Sequence, residues 1–389
     1  IMFAVICNGT SIVLAQYLGA KRGDEELDSI ARASTVMIVA VSFVVTAAVF
    51  AGTNALLSCY TLENDVRSHA WKYFIIFGGI GAPFTAFTQL QTAVLRSYGY
   101  TKENLYVTIA ANLVNIAGNA LSLYGWFNLP VTGTAGVAAA SVLSQIVSCI
   151  MRGVMIKNRS DIKWTLISRA RIPGKYYKSI LSIGIPTAGE NCSYNVAQIV
   201  IMAMVSSLGT ASMSAVVYAQ TIDRFVYAAA IAIGNAVQIK TGYYVGAHES
   251  ETAYRKVFRY SFVATSCSMV FILLLNIIKA PVISLFTTDP AVALDTSRLL
   301  LVAIYIEFGR SLNLVYVCAL KGSGDVKFPV LYGIFSMWGI MVVLSWLLGL
   351  KLGLGLIGFW LGIGTDETTR GIVMLFRWKS RRWQSKAIV

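Results

Sequence analysis

The sequence predicts an all-α polytopic membrane protein built from two copies of one helical unit. Three observations lead there. Apolar residues make up 56% of the chain and charged residues only 13%, roughly half the charge of an average soluble domain, which is about 25%. A soluble particle of 42.2 kDa could not be covered by so little charge. Mean hydropathy is +0.66, and apolar runs near the bilayer-spanning length of about 20 residues recur along all 389 residues. Finally, three sequence motifs return in the same order at almost constant offset.

The apolar runs place spans at roughly 1–20, 31–57, 69–95, 105–126, 133–156, 179–206, 211–240, 257–280, 296–320, 328–350 and 353–376. Charge placement orients them. Of the 32 Lys and Arg, 24 fall in alternate loops and the C-terminal tail, including the eight from Arg152 to Lys178. The opposite side holds Arg67, Lys72, Lys279, Arg298 and Lys351, while Arg224, Arg310 and Arg370 lie inside spans. Positive loops stay in the cytoplasm, so the basic loops and the C-terminus are expected there. A net charge of +14 therefore reports topology, and no nucleic-acid partner is expected. Six scattered cysteines without CxxC spacing and two histidines near span ends predict no disulfide framework, metal site or other cofactor.

Tyr17-Leu18-Gly19-Ala20 recurs as Tyr244-Val245-Gly246-Ala247, an offset of 227. Leu95-Arg96-Ser97-Tyr98-Gly99 recurs as Leu320-Lys321-Gly322-Ser323-Gly324, an offset of 225, and Gly133-x-x-Gly136 as Gly355-x-x-Gly358, an offset of 222. Matching loops carry the same charge sign, so the halves are parallel repeats. The expected organisation is an N-terminal lobe over 1–157, a basic linker over 158–178, a C-terminal lobe over 179–379 and a basic tail over 380–389. The linker ties the lobes; Trp164, Leu166 and Ile167 within it suit either a short interfacial helix or a solvated connection. Shifting the span 179–206 back by about 225 residues places it before residue 1. Eleven spans of an expected twelve follow, with Ile1 partway along the second.

Polar residues inside spans are the candidate functional groups. Asn112, Asn115 and Asn119 lie three and four residues apart, on one helical stripe. They suit either interhelical hydrogen bonding or a carbonyl-rich cation or substrate surface. Thr187, Glu190, Tyr194 and Gln198 make a second stripe just after Pro186. A carboxylate at bilayer depth costs about 2.5–3.5 kcal/mol unless paired, solvated or protonated. Glu190, with no base near it in sequence, is read as the least compensated acid. Asp223, a further candidate for coupling or cation binding, shares a face with Gln220 and Tyr227, while its neighbour Arg224 points about 100° away and need not pair with it. Tyr194 and Tyr227 are candidates for stacking on a cation. Glu307 and Arg310 are spaced to pair, as are Asp366 and Glu367 with Arg370, and these five read as structural ion pairs.

Several stretches resemble the multidrug and toxic compound extrusion family. They are Gly9-Thr10-Ser11 leading to Ala15-Gln16-Tyr17-Leu18-Gly19-Ala20, Leu95-Arg96 with Gly99, the asparagine stripe closing at Leu123-Tyr124-Gly125, and Gly133 through Ser141. In the second half they are Gly184-Ile185-Pro186 with Glu190, Gly309 through Asn313, Leu320 through Asp325, and Asp366-Glu367-x-x-Arg370 through Trp378. The likeness runs to Trp383. It implies twelve spans in two six-helix lobes around a central cavity, and export of organic cations or drugs by alternating access, driven by inward sodium or proton flow. It further implies a first-lobe cation site in which Asn115, Asn119 and Ser141 match family positions, with Asn where one branch has Asp at 119, and a coupling acid at Glu190. The chain is then an antiporter of the bacterial inner membrane, not an enzyme, expected to act as a monomer. The alternative in the same superfamily is a flippase for a lipid-linked precursor. An anionic headgroup favours an uncompensated cationic cavity, whereas Arg224, Arg310 and Arg370 each have acids nearby in sequence.

Overall fold

In a computed structural model of the chain, residues 2–61, 63–125, 131–165 and 171–389 are described. The described residues form helices and connecting turns. In order these are α1 (Met2–Gly19), α2 (Asp24–Ser58), α3 (Asn64–Tyr73), α4 (Ala82–Ser97), α5 (Thr101–Tyr124), α6 (Gly133–Lys157), α7 (Gly174–Ser206), α8 (Thr210–Gly246), α9 (Ser250–Ile277), α10 (Lys279–Ser284), α11 (Pro290–Gly322), α12 (Lys327–Ser336) and α13 (Gly355–Lys379). A π-helical stretch at Phe74–Ile80 continues α3, and two more, at Met337–Val342 and Ser345–Lys351, continue α12. Each predicted span coincides with one long helix or one such composite.

Local chemistry sets the helix ends. Asp24, Glu25 and Glu26 crowd the first turn of α2, where the helix dipole favours acids, and carry that helix upstream of its apolar run. Asp289 caps α11, its Oδ1 accepting from the Ala291 and Val292 amides at 2.8 and 3.4 Å, with Pro290 in the first turn. Between α3 and α4 the chain bends by 45° at a break beside Pro83. Among the described residues, seven helices are long and apolar enough to cross a membrane, or eight with the bent pair as one span. The long helices that fall short of that mark are α7, α11 and α13, which, with the turn after α11, carry the α7 polar stripe and the buried or nearly buried charges of Glu190, Glu307, Arg310, Lys321, Asp325, Asp366, Glu367 and Arg370.

The repeat is visible in the backbone. Helix α4 ends in a Schellman turn, in which the Tyr100 amide donates to Leu95 O at 2.9 Å and the Gly99 amide to Arg96 O at 3.0 Å. The C-terminus of α11 does the same, Asp325 to Leu320 and Gly324 to Lys321, both at 3.0 Å. Gly99 and Gly324 take φ of 90° and 95°, the left-handed conformation glycine tolerates. Helices α1 and α8 end alike, Arg22 to Tyr17 at 3.1 Å and Glu249 to Tyr244 at 2.8 Å, with Lys21 and His248 left-handed at φ of 50° and 60°. The halves therefore share helix order, turn type and turn register. In that register the 18 residues of α1 match the C-terminal half of the 37-residue α8.

The chain divides into two compact units, one of Ile1–Leu18 with Arg22–Gly184, the other of Gly19–Lys21 with Ile185–Val389. The division falls inside α7, just before Pro186, rather than in the basic linker. The first turns of α7 pack into the first unit, where a Cβ on Gly184 would lie 2.2 Å from Val5 O and Tyr176 meets Tyr17 edge-on at 6.1 Å. Trp164 is not part of an interfacial helix. The chain there is irregular and fastened to the first unit: the indole donates to Thr35 Oγ1 at 2.9 Å, its ring lies 5.7 Å from Phe87, and the Thr165 amide donates to Asp28 at 2.6 Å. Leu166 and Ile167 lie outside the described residues.

In the second unit, one apolar core joins α7, α8, α11, the π-helical end of α12 and α13, and another joins α8, α9, α11, α13 and the C-terminal tail. The tail is folded rather than loose. Trp383 is fully buried, stacked on Trp378 at 4.1 Å, and donates from its indole to Trp378 O at 3.0 Å. Arg377 pairs with Asp325 at 2.8 Å, and Arg381 with Glu251 at 2.7 Å. Hydrogen bonds from Arg381 and then Arg255 hold the Glu251 carboxyl below the usual range.

Candidate functional site: a buried charge network in the second unit

Four helices of the second unit bring ionisable side chains together where water is scarce. Helix α11 supplies Glu307, Arg310, Asn313 and Lys321, α13 supplies Asp366, Glu367 and Arg370, α8 supplies Asp223 and α7 supplies Glu190. Helix α12 adds Ser336. Except for Arg310, whose side chain is 15% exposed, each of these residues is buried.

Arg310 sits at one pole of the network. Its Nη1 lies 2.8 Å from Asp223 Oδ2 and 2.5 Å from Glu307 Oε1, and its Nε lies 3.7 Å from Glu367 Oε1. The guanidinium also lies over the Tyr227 ring, 4.8 Å from its centroid. Tyr227 thus does stack on a cation, but the cation is the protein's own. Arg370 forms the middle, with Nη2 at 2.9 Å from Asp366 Oδ2 and 3.7 Å from Glu367 Oε2. Asn313 donates to Glu367 Oε2 at 2.7 Å and Ser336 to Asp366 Oδ1 at 2.5 Å. The expected spacings, Glu307 with Arg310 and Asp366 and Glu367 with Arg370, therefore close as pairs, Glu367 joins the two arginines, and Asp223 brings α8 to Arg310.

Glu190 completes the other pole, and here the sequence reading needs correcting. Glu190 is not the uncompensated acid: its Oε2 lies 2.6 Å from Lys321 Nζ. The partner comes from 131 residues away, beyond the reach of any local spacing rule. Lys321, counted with the loop charges, is the penultimate residue of α11 and turns back into the protein. Gly333 borders this pole, since a Cβ there would lie 3.1 Å from Glu190 Oε1 and 3.7 Å from Arg370 Nη1. Along α11, Glu307 and Lys321 are fourteen residues apart, so the network extends about 21 Å along that helix.

The expected stripe on α7 is present as a face. Thr187 and Glu190 are buried and Tyr194 and Gln198 partly so, while Ile185, Cys192, Val196 and Ile199 are exposed. Tyr194 packs against the apolar core. Arg224 is exposed and, as its direction away from Asp223 allows, engages no acid among the described residues.

The first unit holds a different arrangement with no charge in it. Asn119 Nδ2 donates to Asn115 Oδ1 at 3.1 Å, and Asn115 Nδ2 donates to Ser141 Oγ at 3.0 Å. Asn119 Oδ1 is buried without a hydrogen-bond partner. Asn112 is exposed and outside this chain of bonds. Among the described residues no cluster of His, Cys, Asp and Glu is placed to hold a metal ion.

Residue selection from sequence missed Lys321, Asn313 and Ser336. Lys321 had one usable signal, its place in the repeated turn opposite Arg96. Asn313 lies in the Gly309–Asn313 stretch, and Ser336 carries no signal of its own.

The MatE family model matches residues 1–121 and 186–347. An uncharacterized transporter, YisQ of Bacillus subtilis (strain 168), is 33% identical over 388 residues, spanning 100% of this chain and 85% of that protein. A probable multidrug resistance protein NorM of Halalkalibacterium halodurans is 25% identical, spanning 96% of this chain and 81% of the relative. Among solved structures, the outward-facing conformation of a multidrug resistance MATE family transporter of the MOP superfamily matches with a TM-score of 0.89 at 18% identity, covering 98% of this chain and 84% of that one. Fold, repeat and sequence agree: the chain belongs to the MatE family of multi-pass membrane transporters.

Proposed function

We propose that this transporter is a cation-coupled antiporter of the bacterial inner membrane type, exporting organic cations, drugs and other toxic compounds by alternating access. The observation that carries the reading is the charge count of the buried network. Five carboxylates (Glu190, Asp223, Glu307, Asp366, Glu367) stand against three cations (Arg310, Lys321, Arg370). With every group ionised, two negative charges remain uncompensated at a depth where unpaired charge is costly. Mobile cations relieve that imbalance. Sodium ions or protons entering down their gradient and a positively charged substrate leaving compete for the same negative charge, and this competition is what exchange requires.

Within the network, Glu190 is the group best placed to change partner. A cation arriving at its carboxylate weakens the hold on Lys321, which ends α11 and adjoins the turn into α12, so occupancy is transmitted to a helix junction. Asn115, Asn119 and Ser141 are proposed as a second cation site, in which amide and hydroxyl oxygens serve as hard ligands; the unpartnered Asn119 Oδ1 supports this. Asn112, Tyr194, Gln198 and Tyr227 are proposed to line the substrate path. The basic loops and C-terminus face the cytoplasm, and the chain works as a monomer. Relatives named as probable multidrug resistance proteins support the drug-export reading.

The test is efflux of a fluorescent organic cation from sided proteoliposomes, with sodium and pH gradients imposed separately. Export stimulated by an inward gradient of either ion is expected. Export unaffected by both gradients, or none of any cation offered, overturns the reading.

A further inference from the structure

Arg224 lies inside a membrane span, yet nothing in the protein accounts for its charge. It is the fifteenth residue of α8, whose 37 residues run from Thr210 to Gly246, so about 21 Å of helix separates it from the nearer end. The side chain is exposed and engages no acid among the described residues. Its neighbour Asp223 points into the buried network and is held by Arg310 at 2.8 Å. An arginine facing hydrocarbon at mid-span costs about 2.5–3.5 kcal/mol.

The residues one helical turn from Arg224 on the same face are Gln220, Thr221, Tyr227 and Ala228, polar or small without exception. Helix α9 of the same unit presents the opposite pattern, with Phe262, Phe271, Leu274 and Ile277 all more than half exposed. The Arg224 face of α8 is mixed instead: Gln220, Thr221 and Tyr227 lie one turn from Arg224, with exposed Val217 and Ile231 two turns away and exposed Phe225 beside it. Tyr227 connects it to the buried network, because the Tyr227 ring lies under the Arg310 guanidinium.

We propose that Arg224 is a specificity-determining residue that binds an anionic group, a carboxylate or phosphate, carried by the exported substrate. This rests on the export reading and narrows its substrate class to include zwitterions. The negative excess of the buried network attracts the amine end of such a molecule, and the unpaired guanidinium takes the acid end in a charge-assisted, bidentate contact. A purely cationic substrate gains nothing from Arg224 and is weakly repelled by it.

The test uses a matched pair of fluorescent compounds, an amino acid-type zwitterion bearing an aromatic fluorophore and its methyl ester, with wild type, Arg224→Gln and Arg224→Lys. Binding is read by fluorescence anisotropy in neutral detergent. Transport KM is read in vesicles of phosphatidylcholine alone and with added phosphatidylglycerol. Loss of one charge-assisted contact weakens binding about ten-fold or more. Arg224→Gln is therefore expected to raise Kd and KM for the acid by that factor and leave the ester unchanged or improved, with Arg224→Lys, which keeps the charge but not the bidentate fork, falling between Arg224→Gln and wild type. Equal effects on acid and ester, or none on either, overturn the proposal. So does an effect on both compounds that appears only with phosphatidylglycerol, which would mean that the guanidinium holds a lipid phosphate. If wild type exports neither compound, the export reading fails on its own; unchanged acid binding in Arg224→Gln overturns the present inference whatever the transport result.

Discussion

Removing one member of the Glu190–Lys321 pair should cost more than removing both. At 2.6 Å and with both side chains about one-tenth exposed, the attraction is about 6 kcal/mol for an effective dielectric constant of about 20. Desolvation of both charges offsets much of it, so the pair's net contribution is small. Stranding either charge is another matter, because the survivor keeps its desolvation cost and loses its partner, about 3–5 kcal/mol for a buried pair. Glu190→Gln and Lys321→Met are each expected to destabilise the second unit by that order, while Glu190→Gln with Lys321→Met should be milder than either alone. The assay is a double-mutant cycle on thermal unfolding in detergent, run beside ion-driven efflux in vesicles. Stability should recover in the double variant while coupled efflux stays lost, since no titratable or cation-binding carboxylate remains at that pole. Strictly additive stability losses would refute the claim that the two side chains act as a pair. Full ion-driven efflux in the double variant would refute the role given to Glu190.

Other consequences are testable in the same preparations. Arg310→Gln removes the cation shared by Asp223, Glu307 and Glu367 and is expected to abolish efflux with a stability loss of at least about 3 kcal/mol; wild-type stability would contradict the shared contacts. Replacing Asn115 and Asn119 together by Leu should raise the sodium or proton concentration for half-maximal efflux, and a fall in protein yield alone would identify them as interhelical hydrogen-bonding groups. Gly333→Ala places a methyl group against the Glu190 carboxylate and should lower coupled efflux severalfold at near-normal stability, whereas unchanged efflux would show that this side of Glu190 has room to spare. Trp383→Ala deletes a fully buried ring and should cost about 3–5 kcal/mol, read as a lower unfolding temperature; no change would mean the tail is dispensable to the second unit.

The scaffold was legible because its determinants are local. Hydrophobic runs, basic loops and turn glycines are read directly, and the repeat offsets found in sequence return as matched Schellman turns at Gly99 and Gly324. Charge pairs within one helix were legible for the same reason: Glu307 with Arg310 and Asp366 with Arg370 are three and four residues apart. Pairs between helices were not. Nothing near Glu190 announces Lys321, and nothing near Asp223 announces Arg310, 87 residues on. Trp164, which suits either an interfacial helix or a solvated connection, was undecidable for a related reason. A tryptophan among basic residues suits a membrane interface, but the indole N–H found Thr35, a partner 129 residues away in sequence.

The repeat has kept its framework and lost its chemical symmetry. Arg96 and Lys321 stand at the same place in the same turn, yet Lys321 is bound to an acid and Arg96 leaves its Nε buried without a hydrogen-bond partner. The first unit's polar chain is a relay of neutral amides and a hydroxyl, and the second unit's is a network of ions. Such a division suits two different tasks. Neutral oxygens can hold a small hard cation without a large change in local charge, so occupancy there stabilises one arrangement of helices with little effect on neighbouring ionisable groups. A network with more acids than bases responds to every added positive charge by redistributing its contacts, because each arginine already shares several carboxylates. Coupling a driving ion to a charged substrate needs that second property, which is why the second unit, rather than the first, is where loss of a single carboxylate should uncouple transport.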